Sequence, residues 1–127
     1  MAKKVFSCCL TGLACQIVEV EADISNGLPV FSIVGLGDTS VQESKERVRS
    51  GIKNSGAEFP QTRKIVNLAP AEIKKQGSLF DLPIALSILF ASGQIESKNF
   101  EGSIVIGELS LDGGVRKYMA LWRLFST

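Results

Sequence analysis

A serine stands beside a glycine and two lysines in "IKKQGSLFDLPIALSILFASG", residues 73–93. Ser78 with Lys74 or Lys75 is the residue set of a Ser–Lys hydrolase, in which a neutral amine takes the hydroxyl proton. The chain has no histidine, so lysine is the only plausible base. To lose its proton the amine must be desolvated. Lys74 and Lys75 lie in a polar, loop-like segment where an ammonium stays hydrated, so Ser78 is expected to cap the following helix. Asp81, between Phe80 and Leu82, falls in that helix's first turn, where free N–H groups and the helix dipole favour a carboxylate. A salt bridge to a neighbouring element is the other role open to it.

"GLGD", Gly35 to Asp38, also leaves a strand to open a helix, the setting of a phosphate loop. A Walker loop needs a lysine for the phosphates and a hydroxyl for the metal after its glycines. Here Asp38, Thr39 and Ser40 follow Gly37, and Ser40 takes the third glycine's place in a dinucleotide fingerprint. The expectation is a glycine-permitted turn with Asp38 or Thr39 as the helix cap. Backbone N–H contact to some anion is the alternative.

Charge is unevenly spread. The chain as a whole carries only +1, which gives no global pull toward nucleic acid or membrane. Between Lys45 and Lys75, eight cations face three carboxylates, a local net of +5. Such clustering is what phosphate contact requires, and equally what a solvated or inter-subunit helix face shows.

Cys8, Cys9 and Cys15 are an odd set crowded at one end, a poor disulfide framework without zinc spacing. They read as small hydrophobes in a reducing cytosol. The apolar run after Lys3 and Lys4 is short for a secretion signal and is broken by Ser7, Thr11 and Gly12. No stretch approaches the roughly 20 apolar residues of a membrane span. A cytoplasmic location is expected, with no membrane partner.

The elements that must position these residues follow from periodicity. "KVFSCCL" and "ACQIVEVEADI" are β-rich, the second alternating with period two, and "VFSIVG" is a short apolar strand suited to a sheet's middle. These three are expected to form a meander. Val41, Val48 and Ile52 mark one face of a helix ending at Asn54-Ser55-Gly56, and "RKIVNLAP" is a fourth strand. A second, mostly buried helix starts near Leu79 to Asp81, with Pro83 in its first turn and Gly93 behind it. "GSIVIGELSLDGGVR" adds two strands around Asp112-Gly113-Gly114, and "KYMALWRLFST" is apolar at helical spacing. The 127 residues make one domain by length, of α/β (α+β) class, a mixed β-sheet packed by two main helices.

The runs "LPVFSIVGLGDTSVQESKERVRSGIKNSGAEFP", "IVNLAPAEIKKQGSLFDLPIALSILFASGQI" and "GELSLDGGVR" closely resemble the N-terminal domain of the magnesium-chelatase-related AAA+ ATPases, the bacterial ComM (YifB) group. The likeness covers Phe6 to Val115. It implies a fold similar to the Lon protease C-terminal domain and to domain two of ribosomal protein S-five. Lon-type proteases place their serine two residues after the glycine, a position held here by Leu79. Their lysine would fall near Leu121 to Arg123, where none stands, and Lys117 is the nearest. The resemblance thus implies a protease fold without the protease dyad.

In that family the domain precedes an AAA+ module that binds ATP and Mg, linked to DNA processing in natural transformation as a hexameric branch-migration helicase. No cofactor is implied for this chain, whose 127 residues end before such a module. The implied role is accessory: guiding DNA or assembling the ring with the AAA+ module and neighbouring subunits. On charge, Lys45, Arg47, Arg49, Lys53, Lys74 and Lys75 are the candidate DNA contacts. The rivals are a Ser–Lys hydrolase using Ser78 with Lys74, Lys75 or Lys117, and a purely structural oligomerisation module.

Overall fold

The computed structural model describes residues 3–11, 14–73, 75 and 77–121. Strands β1 (Lys3–Thr11) and β2 (Ala14–Ser25) form an antiparallel hairpin, with Val5 opposite Val20 and Ser7 opposite Val18. Period two does the sorting: Val18, Val20 and Ala22 are buried, while Glu19, Glu21 and Asp23 point to the other face.

Strand β3 (Phe31–Val34), helix α1 (Asp38–Asn54) and strand β4 (Arg63–Ala69) come next, and β3 and β4 are parallel neighbours. The expected meander therefore does not form. A helical crossover joins parallel strands, so α1 carries the chain over and β4 inserts between β3 and β2. This leaves β3 at the sheet's edge instead of its middle, with Val34 exposed. At the end of β3 the chain turns so tightly that a Cβ on Gly35, at φ +98°, would lie 2.3 Å from the Leu68 carbonyl oxygen. Only glycine fits there.

A single 3₁₀ turn, Ser78–Phe80, leads into α2 (Asp81–Ala91). Pro83 sits in the first turn of α2, as expected. The far end closes with two bonds, from Gly93 N–H to the Phe90 carbonyl (3.1 Å) and from Gln94 N–H to the Leu89 carbonyl (3.0 Å). That is the Schellman arrangement, and Gly93 supplies its left-handed residue at φ 77°. Strand β5 (Ile104–Leu109) lies parallel to β1, and β6 (Val115–Leu121) runs antiparallel to β5. The tail expected at helical spacing is thus a strand as far as Leu121, because its backbone satisfies the outer edge of β5. Residues 122–127 lie outside the described residues.

The sheet order is β3-β4-β2-β1-β5-β6, a mixed six-stranded sheet with both helices on one face. Helix α2 packs across β1, β2 and β5, and α1 packs beside it. Val18, Val20, Val66, Leu68, Ile84 and Ile88 form the centre of the core. On the opposite face Phe6 and Ile17 stay exposed. Among the described residues no helix is long and apolar enough to cross a membrane.

The cysteines depart from expectation. Cys8 and Cys15 are joined by a disulfide, and Cys9 lies outside it, half-buried. In the hairpin register Cys8 faces Ile17 and Cys15 faces Leu10, so the two are diagonal neighbours on one face, with Cα atoms 6.0 Å apart. Sequence spacing alone hides that register.

Candidate nucleic-acid interface

Ser78 is the first residue of the 3₁₀ turn and is half-buried. It does not cap: Gly77 and Phe80 hold the cap positions of the turn and of α2, and neither start has a side-chain cap bond. The Ser78 hydroxyl has no hydrogen-bond partner among the described residues. Leu79 is exposed. Lys117 lies on β6, and its side chain, like all of Lys74, is outside the described residues.

Lys75 is the clearest correction. It is 2% exposed, and its Nζ donates to the carbonyls of Pro70 (2.6 Å) and Ile73 (2.7 Å). The segment 70–73 curls around the lysine and supplies acceptors that a reading of polarity along the chain does not reveal. Lys75 is therefore no base for Ser78, and it lines neither of the two clefts that flank α1.

The main chain at Lys75 also closes the glycine loop, since its carbonyl accepts the Gly37 N–H at 2.9 Å. Ser40 Oγ accepts the Gly77 N–H at 3.0 Å, tying the same two segments together. Gly37, not Asp38, holds the cap position of α1, and no side chain caps it. Asp38 is an exposed carboxylate in the first turn, where it favours the helix dipole without capping. With the Gly37 N–H already bonded and no lysine in the loop, these residues do not fit ATP with Mg.

Asp81 takes the salt-bridge role. It is fully buried, and its carboxylate accepts from the Ser44 hydroxyl, from Arg47 Nε at 2.5 Å and Nη2 at 3.3 Å, and from the Leu109 N–H at 3.3 Å. One side chain thus joins α1, α2 and the end of β5. The hydrogen bond to Asp81 raises the Arg47 pKa above its ordinary value, against the lowering effect of burial. What remains exposed of Arg47 lines a groove of about 430 Å³ with Glu43, Glu46 and Glu108. Arg47 is committed to structure in acidic surroundings, so it leaves the set of DNA candidates.

Lys45, Arg49 and Lys53 remain, four residues apart on α1 and hence on one face. They line a second cleft, of about 320 Å³, with Phe31, Phe59 and Lys64. The Lys45 ammonium lies 5.9 Å from the Phe31 ring centre, and the Arg49 guanidinium 5.9 Å from that of Phe59. Arg49 also donates to Glu46 at 3.3 Å on the exposed side. Beneath them Lys64 is 2% exposed, with Nζ donating to the carbonyls of Pro60 (2.8 Å) and Thr62 (2.6 Å) and lying 4.7 Å from the Phe59 ring centre. Burial, and secondarily the charge of Arg49, lower the Lys64 pKa.

Sequence reasoning counted Lys64 in the basic run without making it a site residue, and it missed Phe31 and Phe59. The four-residue spacing of Lys45, Arg49 and Lys53 was the available signal, since it separates them from Arg47 by half a helical turn. No local spacing brings Phe59 and Lys64 to that face: Lys64 comes there by pairing with Phe31, and Phe59 by packing its ring on that of Phe31 at 5.4 Å.

The sequence profile described as "Subunit ChlI of Mg-chelatase" matches residues 20–125. A protein named YifB from Salmonella typhimurium is 47% identical over 105 residues, 83% of this chain and 21% of that protein. Competence protein ComM of Haemophilus influenzae is 41% identical over 112 residues, 88% of this chain and 22% of that protein. A protein of Mycobacterium tuberculosis, Rv2897c, is 42% identical over 113 residues, 89% of this chain and 22% of that protein. The chain spans about a fifth of the length of these relatives. With most of its length matched by that profile, it belongs to the ChlI, magnesium-chelatase-related family.

Proposed function

We propose that this chain is a non-catalytic accessory domain of a ComM-like AAA+ ATPase, which binds DNA by its phosphates and supports ring assembly. The observation that carries it is the convergence of Lys45, Arg49, Lys53 and Lys64 on one cleft with no carboxylate in its lining. Phosphate neutralisation is the main source of affinity for nucleic acid, and it needs cations gathered on one surface. Kinship with a competence protein is the second support. The ring-assembly part draws on the uncovered apolar residues Phe6, Ile17 and Val34, which belong to the sheet face opposite the helices.

The test is DNA affinity measured by fluorescence anisotropy over a range of salt. The expected result is a steep fall with ionic strength. In the variant Lys45→Ala/Arg49→Ala/Lys53→Ala the slope should shrink by about 0.9 for each phosphate no longer neutralised. Self-association that ignores salt, with no DNA affinity, would instead support a purely structural oligomerisation module.

A further inference from the structure

The basic cleft has depth as well as charge. Three cations of α1 form its rim, and Lys64 lies beneath them, 2% exposed. An ammonium has three N–H donors. Two of those on Lys64 go to the Pro60 and Thr62 carbonyls, and the third has no acceptor among the described residues. No carboxylate pairs with Lys64 there, and the two phenylalanine rings back the cations on the protein side.

An internal DNA phosphate has one negative charge, two non-bridging oxygens and a sugar on either side. It lies along a surface and engages rim cations, roughly one charge for each phosphate. A terminal phosphate monoester carries about −1.5 to −2 charges and three acceptor oxygens, and has a sugar on one side only. It alone enters end-on and reaches a cation at the floor. Beside its bond from Nη1 to Glu46, Arg49 keeps its Nε and Nη2 donors for such a group, while Lys45 and Lys53 supply point charges.

We propose, building on the DNA reading above, that the cleft between α1 and the segment before β4 receives the terminal phosphate monoester of a DNA strand. Arg49 and Lys64 contact the phosphate oxygens, and Lys45 and Lys53 neutralise the remaining charge and the next phosphate.

The experiment compares oligonucleotides of one sequence, phosphorylated at the 5′ end, at the 3′ end or at neither, by anisotropy at fixed salt with the full chain. A nucleoside monophosphate serves as competitor. One phosphorylated end should bind about tenfold or more tighter than the hydroxyl form, the worth of an added charge-assisted hydrogen bond. Arg49→Ala should erase that preference while leaving the melting temperature near wild type. Lys64→Met should do the same, provided it folds. Equal, salt-sensitive binding of all three oligonucleotides overturns the terminal-phosphate inference and leaves the DNA reading standing. No binding of any overturns both. Competition by the monophosphate at the concentration of the phosphorylated oligonucleotide overturns the strand end as the ligand's source.

Discussion

Asp81, opening α2, and Arg47, midway along α1, form an ion pair at 2.5 Å in which the aspartate side chain is wholly buried and the arginine side chain is 22% exposed. The asymmetry predicts an order of harm. Without Arg47 a carboxylate stays in the core with only the Ser44 hydroxyl and the Leu109 N–H. Arg47→Met should therefore cost about 3–5 kcal/mol, the usual range for a broken buried pair. Asp81→Asn leaves a cation able to turn into its groove, and should cost about 1–3 kcal/mol. Urea unfolding of the two variants checks this, and a larger loss in Asp81→Asn would contradict the assigned geometry.

Lys75 and Lys53 should separate stability from binding. Lys75→Met removes the buried donor that two part-buried carbonyls share, so it should cost about 1–3 kcal/mol and leave DNA affinity unchanged. Lys53→Ala, at an exposed position near the end of α1, should leave the melting temperature within a degree or two and weaken DNA binding. Thermal melts and anisotropy titrations on both proteins give the comparison. Equal loss of affinity in the two would contradict it.

Gly35 and Gly56 share a left-handed backbone, at φ +98° and +94°, yet differ in what surrounds them. An alanine at 56 meets nothing within 4 Å and should cost about 1–2 kcal/mol for its backbone alone. At 35 the added methyl strikes the Leu68 carbonyl, which belongs to β4 and cannot yield without shifting the sheet. Gly35→Ala should be clearly the worse of the two in chemical denaturation. Equal costs would show that the β3–α1 turn is looser than described.

How far the chain could be read depended on the range of the interaction. Helix α2 was legible because its signals are local: Pro83 near the start, Gly93 after the end, an apolar body between. The alternation in β2 was legible for the same reason. Partnering was not. The run "VFSIVG" looks central by hydrophobicity, and its edge place follows from β4, more than 25 residues on, taking the inner position. The site suffered most. Counting cations along the chain grouped Arg47 and Lys75 with Lys45, Arg49 and Lys53. Arg47 is claimed by Asp81, 34 residues away, and Lys75 by carbonyls that fold back around it.

Lys64 makes the protein's stability sensitive to alkaline pH in a defined direction. Its folded pKa is lowered, chiefly by burial and then by Arg49, from the ordinary 10.5. Between that lowered value and 10.5 the unfolded chain binds more protons than the folded one, so this group's contribution to stability rises with pH. Lys64→Met lacks the effect. The difference in unfolding free energy, wild type minus Lys64→Met, should move toward wild type from about pH 7 to about pH 10. Movement the other way would mean that Lys64 gains a favourable partner in the folded state.

Ser78 remains the residue whose neighbours most invite an enzymatic reading, and its geometry predicts inertness. A serine nucleophile needs a base within hydrogen-bond reach. Lys75, the nearest described lysine in sequence, directs its Nζ to Pro70 and Ile73 instead. The hydroxyl caps neither the 3₁₀ turn nor α2, so losing it should be nearly neutral as well. Ser78→Ala should change stability by no more than about 0.5 kcal/mol. Intact protein should take up no label from a serine-directed phosphonate, read by mass spectrometry. Stoichiometric labelling that disappears in Ser78→Ala would restore the hydrolase, with Lys74 or Lys117 as its base.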